Sequence, residues 1–399
     1  TENSGGTVVE VGTNPSALTV ASDASVNGLT VGRGAGAVAT NTAVGGSALA
    51  GSVTGGENTA VGSSALAVLT SGSDNTAVGR VALANNSTGG QNTAVGRYAM
   101  SLNTTGSSNT SMGTQALASN TTASNNTAVG YQAGYTNSTG TRNTFIGRGT
   151  GYTNNGDDNT AVGRNAFYNN TTGSGNAALG TDALGSNSTG ALNTAIGYLA
   201  LTSNTTAEGN TAVGYQAAYS NTTGTRNAAF GIQALQANTV GTDNTAIGRV
   251  ALNANTASAN TAVGSGALYA NTTGQYNSAS GQGAMQSNTT GANNTAHGAS
   301  ALLSNTTASN NTVVGYQAGY TNTTGAANLA LGNLALYSNT SANHNVAAGY
   351  VALFSNTTGT NNVGLGSQAL YANTTASNNT AVGYQSQYSG QTTNYNTSV

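Results

Sequence analysis

The sequence predicts an all-β protein, a parallel β-solenoid of about 21 coils of 17 residues. Three observations predict it. The pentad Asn-Thr-Ala-Val-Gly recurs in phase from Asn41 to Gly383, closing on 21 glycines. The step between those glycines is 17 residues, except from Gly147 to Gly163 and from Gly248 to Gly264, where it is 16. The unit is also too short, too rich in glycine and too β-branched for a helical repeat.

The composition fits stacked coils and little else. Only 5% of the 399 residues are charged, against roughly 25% in ordinary soluble proteins. The eight basic residues are all Arg, net charge is −2, and there is no cysteine. A nucleic-acid binder needs a basic stripe, and a disulfide scaffold or thiolate metal site needs cysteine. No apolar run reaches membrane-helix length. In a stack, identical positions lie about 4.8 Å apart, so charges of one sign would repel along a column. Asn amides can instead bond from coil to coil.

The repeat assigns its own elements. Thr-Ala-Val reads as one strand, and the segment running through Ala-Leu as a second. Asn-Thr-Thr-Gly supplies a turn. The pentad Asn is present in all 21 coils, and the ladder of Asn58, Asn75, Asn92, Asn109, Asn126, Asn210 and Asn311 is the predicted structural one. Both short coils keep their flanking pentads. The missing residues fall between Asn154 and Asn159 and between Asn255 and Asn260, so the ladder is expected to hold its register. Thr42 and Val44 point one way from the strand and Ala43 the other. A strand apolar on both faces is normally covered on both. The small Ala is read here as the face that meets another copy of the chain.

The pentad followed by x-x-A resembles the YadA-like head repeats of trimeric autotransporter adhesins. The longer pattern, as in Asn126 to Ala133 followed by Asn137 to Gly140, resembles repeats of phage and environmental tail-fibre proteins. The lead-in Asp23 to Gly34 is similar to one found in such fibres. The resemblance spans about residues 41–383. It implies a left-handed β-roll, a homotrimer, an extracellular or virion-surface location, and a structural shaft that positions a receptor-binding tip. It also implies that the chain is a piece or a cleaved product of a longer fibre.

Residues 1–40 are out of phase and read as an N-terminal cap or attachment segment. Its short strands are Thr7 to Val11, Ala17 to Val20 and Leu29 to Val31. Residues 41–383 form the shaft and 384–399 a C-terminal cap or frayed end.

Candidate sites are sparse. No carboxylate pair, nucleophilic triad or metal-spaced cluster recurs, so neither an enzyme nor a cofactor is expected. His297 stands where Val belongs, one coil after Ser280, and reads as a core histidine bonded to that serine. The Asn-Thr-Thr turn matches an N-x-[ST] sequon in 15 coils. Asn103, Asn120, Asn137, Asn170, Asn221, Asn271 and Asn305 are therefore either glycan acceptors or a turn ladder. Tyr131, Tyr135, Tyr215, Tyr219, Tyr316 and Tyr320 either pack on their neighbours or offer ring faces to sugars. The leading functional expectation is a structural fibre. A glycan-binding or glycosylated rod is the alternative, and an ice-binding array a weaker one. Beyond other copies of itself, the partners expected are surface glycans or a receptor, with no nucleic acid and no membrane insertion.

Overall fold

The computed structural model describes residues 23–26, 29–389 and 393–399. The chain forms two compact units, residues 1–122 and 123–399. Both are all-β, and no helix occurs among the described residues.

In the second unit, sixteen pentad strands run from β8 (Thr127–Val129) to β23 (Thr380–Val382). Each pairs in parallel with the next, residue for residue. Thr194, Ala195 and Ile196 face Thr211, Ala212 and Val213, for example. At about 4.8 Å per coil the stack is roughly 70 Å long. The first unit holds five such strands, β3 (Thr42–Val44) to β7 (Thr110–Met112). Its open edge is closed by a hairpin, β1 (Ala24–Val26) against β2 (Leu29–Gly32), and β2 then lies antiparallel on β3. Asp23 fixes the hairpin by accepting the N–H groups of Arg33 and Gly34, each at 2.7 Å. An antiparallel strand on the first coil blocks further parallel stacking there. Of the three N-terminal strands expected, only Leu29 to Val31 is among the described residues.

The expected second strand is absent. Each coil has one three-residue strand, and the Ala-Leu segment is a run of tight turns. In it, non-glycine residues take the left-handed conformation, as at Gln216 (φ 53°) and Ala218 (φ 49°). Left-handed backbone costs roughly 1–2 kcal/mol per L-residue. Here it aims successive N–H groups along the stack in opposite senses. Gln216 donates to Tyr198 of the preceding coil at 3.0 Å, and Ala218 to Ala234 of the following coil at 2.9 Å. Stacking thus overrides local preference, and every coil repeats the pattern.

The strand's central Ala is the inward residue, which corrects its assignment to an interface. Ala43, Ala60 and Ala77 are fully buried within their own chain, against Leu49, Leu66 and Leu83. The Val or Ile at the strand's end faces outward instead. His297 follows that column and is exposed, paired in register with Ser280. It is not a core histidine.

The interior is narrow, so amides fill its corners. Each pentad Asn accepts the N–H of the next: Asn227 donates to Asn210 Oδ1 at 2.9 Å, and Asn210 Nδ2 donates to the Gly224 carbonyl at 2.9 Å. A second ladder, from Asn86 onward, is buried as deeply. Asn221 Nδ2 donates to Asn204 Oδ1 at 3.0 Å and to the same Gly224 carbonyl at 2.9 Å. Both ladders are therefore structural, and the Asn-Thr-Thr turn is not the exposed element that its polarity suggests. We expect Asn210→Ala and Asn221→Ala each to destabilise the fold by about 2–3 kcal/mol, because each orphans a buried partner. Thermal unfolding of the two single variants checks this. A loss confined to Asn210→Ala would contradict it.

The short coils keep register. Thr144 faces Thr160 across β9 (Thr144–Ile146) and β10 (Thr160–Val162), and Thr245 faces Thr261. The residue is lost from the turn. Asn154 Nδ2 bonds the carbonyl two residues on, at Gly156, where Asn137 reaches three residues on, to Gly140. Past Gly383 the stack continues: β24 (Thr397–Ser398) pairs in parallel with β23, and Asn396 donates its N–H to Asn379 Oδ1 at 3.0 Å. Residues 393–399 extend the solenoid rather than fray from it.

Candidate binding surfaces

Most predicted site residues lie inside the coil. Asn58, Asn75, Asn92, Asn109, Asn126, Asn210 and Asn311 form the pentad ladder and are buried. The seven sequon residues are also fully buried. The amide of Asn271 donates to Asn255 Oδ1 at 2.7 Å and to the Gly274 carbonyl at 2.9 Å. Asn103, Asn170 and Asn305 bond in the same way, and Asn120 and Asn137 each donate inward too. A glycan on Nδ2 would remove those bonds and has no room, so of the two readings these residues are the turn ladder and not glycan acceptors. The Thr or Ser that follows each ladder Asn bonds the next coil through its hydroxyl, as Thr222 Oγ1 does to the Thr239 carbonyl at 2.9 Å.

The tyrosines divide. Tyr135 stacks on Tyr152 at 5.0 Å, and Tyr152 on Tyr168 at 4.9 Å. Tyr320, Tyr337, Phe354, Tyr371 and Tyr388 form a longer column with centroids 5.1–5.3 Å apart. Rings stacked in this way cover one another's faces, and burial among its neighbours pushes the Tyr152 hydroxyl pKa up. Tyr135 and Tyr320 are thus packing residues. Tyr219 is half-buried outside both columns. Tyr215 stacks on Tyr198 at 5.7 Å, and both rings are exposed. Tyr131 and Tyr316 are exposed outside either stacked column, at 46% and 51%.

Opposite charges pair along one column of the second unit. Arg142 pairs with Asp158 at 2.6 Å and Arg226 with Asp243 at 2.7 Å, one coil apart in one column. The guanidinium hydrogen bonds hold both carboxyls below the usual range. In the same column Glu57 and Asp74 are adjacent, and the Asp74 carboxyl, hydrogen-bonded to Glu57 and repelling its charge, pushes the Glu57 pKa up. In the first unit Arg80 donates to Tyr98 Oη at 3.0 Å and Arg97 lies 4.8 Å over that ring, so the two cations lower the phenol's pKa.

Open surface depressions in the second unit were not foreseen from the sequence. One, of about 660 Å³, includes Arg249, Tyr269, Gln282 and Tyr316. A smaller one, of about 210 Å³, surrounds Gly149, beside Arg148 and Tyr168. The signal was available as small residues in a column that elsewhere carries Gln, Leu or Val. Among the described residues no group of three His, Cys, Asp or Glu could hold a metal ion, and no helix is long and apolar enough to cross a membrane.

The fold places the chain in the class of parallel β-solenoids with a 17-residue repeat. Compared with known protein families and with curated proteins, the sequence matches none.

Proposed function

We propose that this chain is a shaft segment of an extracellular fibre, of the tail-fibre or adhesin kind, that holds a receptor-binding tip away from an anchor. The observation that carries the reading is the ladder itself. One parallel sheet and the buried pentad amide column repeat through sixteen successive coils of the second unit, and the buried turn amide column through fifteen of them. Each coil is stabilised by its neighbours, so stiffness is distributed along the stack rather than held in a site.

The shaft assembles as a homotrimer in this reading, through the outward aliphatic column and not through the buried Ala. Ile146, Leu179, Ile196, Phe230 and Ile247 are 38–48% exposed and lie in one register column of the parallel sheet. A contiguous apolar stripe of this length favours burial against another surface. Light scattering tests it. The expected mass is three times the 38.8 kDa chain, and Ile196→Thr/Val213→Thr/Ile247→Thr should shift it toward the monomer with the fold retained. A monomer mass for the unsubstituted protein would overturn the assembly, and globular particles in negative-stain images would overturn the shaft.

A further inference from the structure

We propose that the depression between Arg249 and Tyr316 is a binding groove for an acidic oligosaccharide. Three neighbouring columns of the solenoid build it. The first, one residue past the pentad glycine, runs from Arg249 through Ser265, Gln282 and Ala299 to Tyr316, four coils away. At about 4.8 Å per coil this wall is roughly 19 Å long. The next column forms the floor, where Gly266, Gly283 and Ser300 stand between the larger Val250 and Gln317 of the flanking coils, with Gln233 one coil further back. Tyr269 and Gln286, three residues beyond the floor, make the opposite wall.

The lining carries unused recognition groups. Among the described residues the ion pairs take up Arg142, Arg164 and Arg226, and Arg249 has no acidic partner. The side-chain amides of Gln282 and Gln286 likewise have no hydrogen-bond partner within them. Tyr269 is 42% and Tyr316 51% exposed, so both rings are open to contact. Planar amides bond paired hydroxyls, aromatic faces cover the apolar faces of sugar rings, and a guanidinium holds a carboxylate or sulfate bidentately. The volume, about 660 Å³, lies within the range of small-ligand sites. An open trough of this length suits a chain of several sugar rings better than a compact metabolite. The depression at Gly149 repeats the arrangement in miniature, with Arg148 and Tyr168 beside a glycine floor.

The glycine floor supplies a test that leaves the fold intact. Gly266 and Gly283 have φ of 69° and 65°, close to the 55° of Gln233 in the same column. A Cβ at Gly266 meets nothing within 4 Å, and one at Gly283 comes no nearer than 3.3 Å to the end of the Gln286 side chain. Gly266→Gln/Gly283→Gln therefore installs the residue that Gln233 and Gln317 carry elsewhere in the column and fills the trough. The full chain would be screened on an array pairing sialylated, uronate-bearing and sulfated oligosaccharides with their uncharged counterparts, and the best pair titrated by calorimetry. The expected result is binding of the acidic member, lost in the filled variant, which stays folded with a melting temperature lowered only by the strain of two L-residues in left-handed backbone. Arg249→Gln should cut the preference for the acidic member by about tenfold or more, and Tyr316→Ala should weaken both members. Absence of binding to every acidic glycan, or binding that the filled variant retains, would overturn the proposal.

Discussion

Gly214→Ala is expected to disrupt the coils on both sides of it, at a cost of more than about 3 kcal/mol. Gly214 closes its pentad with φ of 137°, a conformation that L side chains rarely adopt. Holding one there costs about 1–3 kcal/mol before any contact is considered. The contacts make it worse. A Cβ at this position would sit 2.5 Å from the carbonyl oxygen of Gly231 and 2.7 Å from its carbon. Those are backbone atoms of the next coil, held by the same ladder, and cannot rotate away. Relief requires the coils to part, which stretches bonds such as that from the Gly214 N–H to the Ile196 carbonyl, 2.8 Å. Gly266→Ala is the matched control, because its φ of 69° is shared by L-residues in that column and nothing stands within 4 Å. Thermal unfolding should separate the two variants clearly, and amide exchange should quicken over the strands flanking Gly214. Similar melting temperatures for both would show that the coil spacing yields far more easily than close packing allows.

The second large effect is a compensated pair. Phe145 occupies the strand position that is Ala in most coils and is fully buried. The next position that should carry Leu is Gly151, and a Cβ there would lie 2.5 Å from the Phe145 ring. The ring fills the space that the missing Leu side chain vacates. Phe145→Ala should therefore cost about 3–5 kcal/mol as a cavity. Gly151→Leu alone should cost about 1–3 kcal/mol, because it forces the ring out of place. The double variant rebuilds the common Ala-Leu pair, with Leu in the left-handed conformation that Leu184 and Leu201 already adopt. It should return to within about 1 kcal/mol of the unsubstituted protein, a coupling that only groups in direct contact show. Additive losses in urea unfolding would rule out the exchange. Val313 and Gly319 form a smaller instance, with 3.5 Å from a Gly319 Cβ to Val313 Cγ2.

These two cases also mark what the sequence could and could not disclose. Period, phase and the register of the short coils were legible because every coil restates them. The pentad Asn ladder was legible for the same reason. The turn segment was not, since nothing in a Leu residue announces φ near 50°, and only the stack's hydrogen bonds impose it. Alternation showed that Ala43 and Val44 face opposite sides but not which side is inside. That depends on the coil's width, which leaves room for Ala beside the inward Leu and admits Phe145 or Val313 only where that Leu is replaced by Gly. The burial of Asn221 was hidden by its polar neighbours and became evident once the Gly224 carbonyl was seen to receive both amides. The groove at Gly266 and Gly283 reads in the sequence as ordinary repeat variation, and becomes a trough only when its column is aligned beside Arg249 and Tyr269.

The 16-residue coils bear on how such a chain can change length. Strand, glycine and Ala-Leu turns are tied to both neighbours, so an altered residue count there would displace every bond above it. The corner between the two Asn ladders is different. In the shortened coils it closes on itself, with Asn159 Nδ2 donating to Asn154 Oδ1 at 3.2 Å and Asn260 Nδ2 to Asn255 Oδ1 at 3.3 Å. That corner acts as an expansion joint. It absorbs a deletion locally and passes the same lattice on to the next coil. A graft at that corner would have to spare the buried Gly156 and Ala257 carbonyls, each of which receives both ladder amides, whereas one beside a pentad glycine would sever the stack.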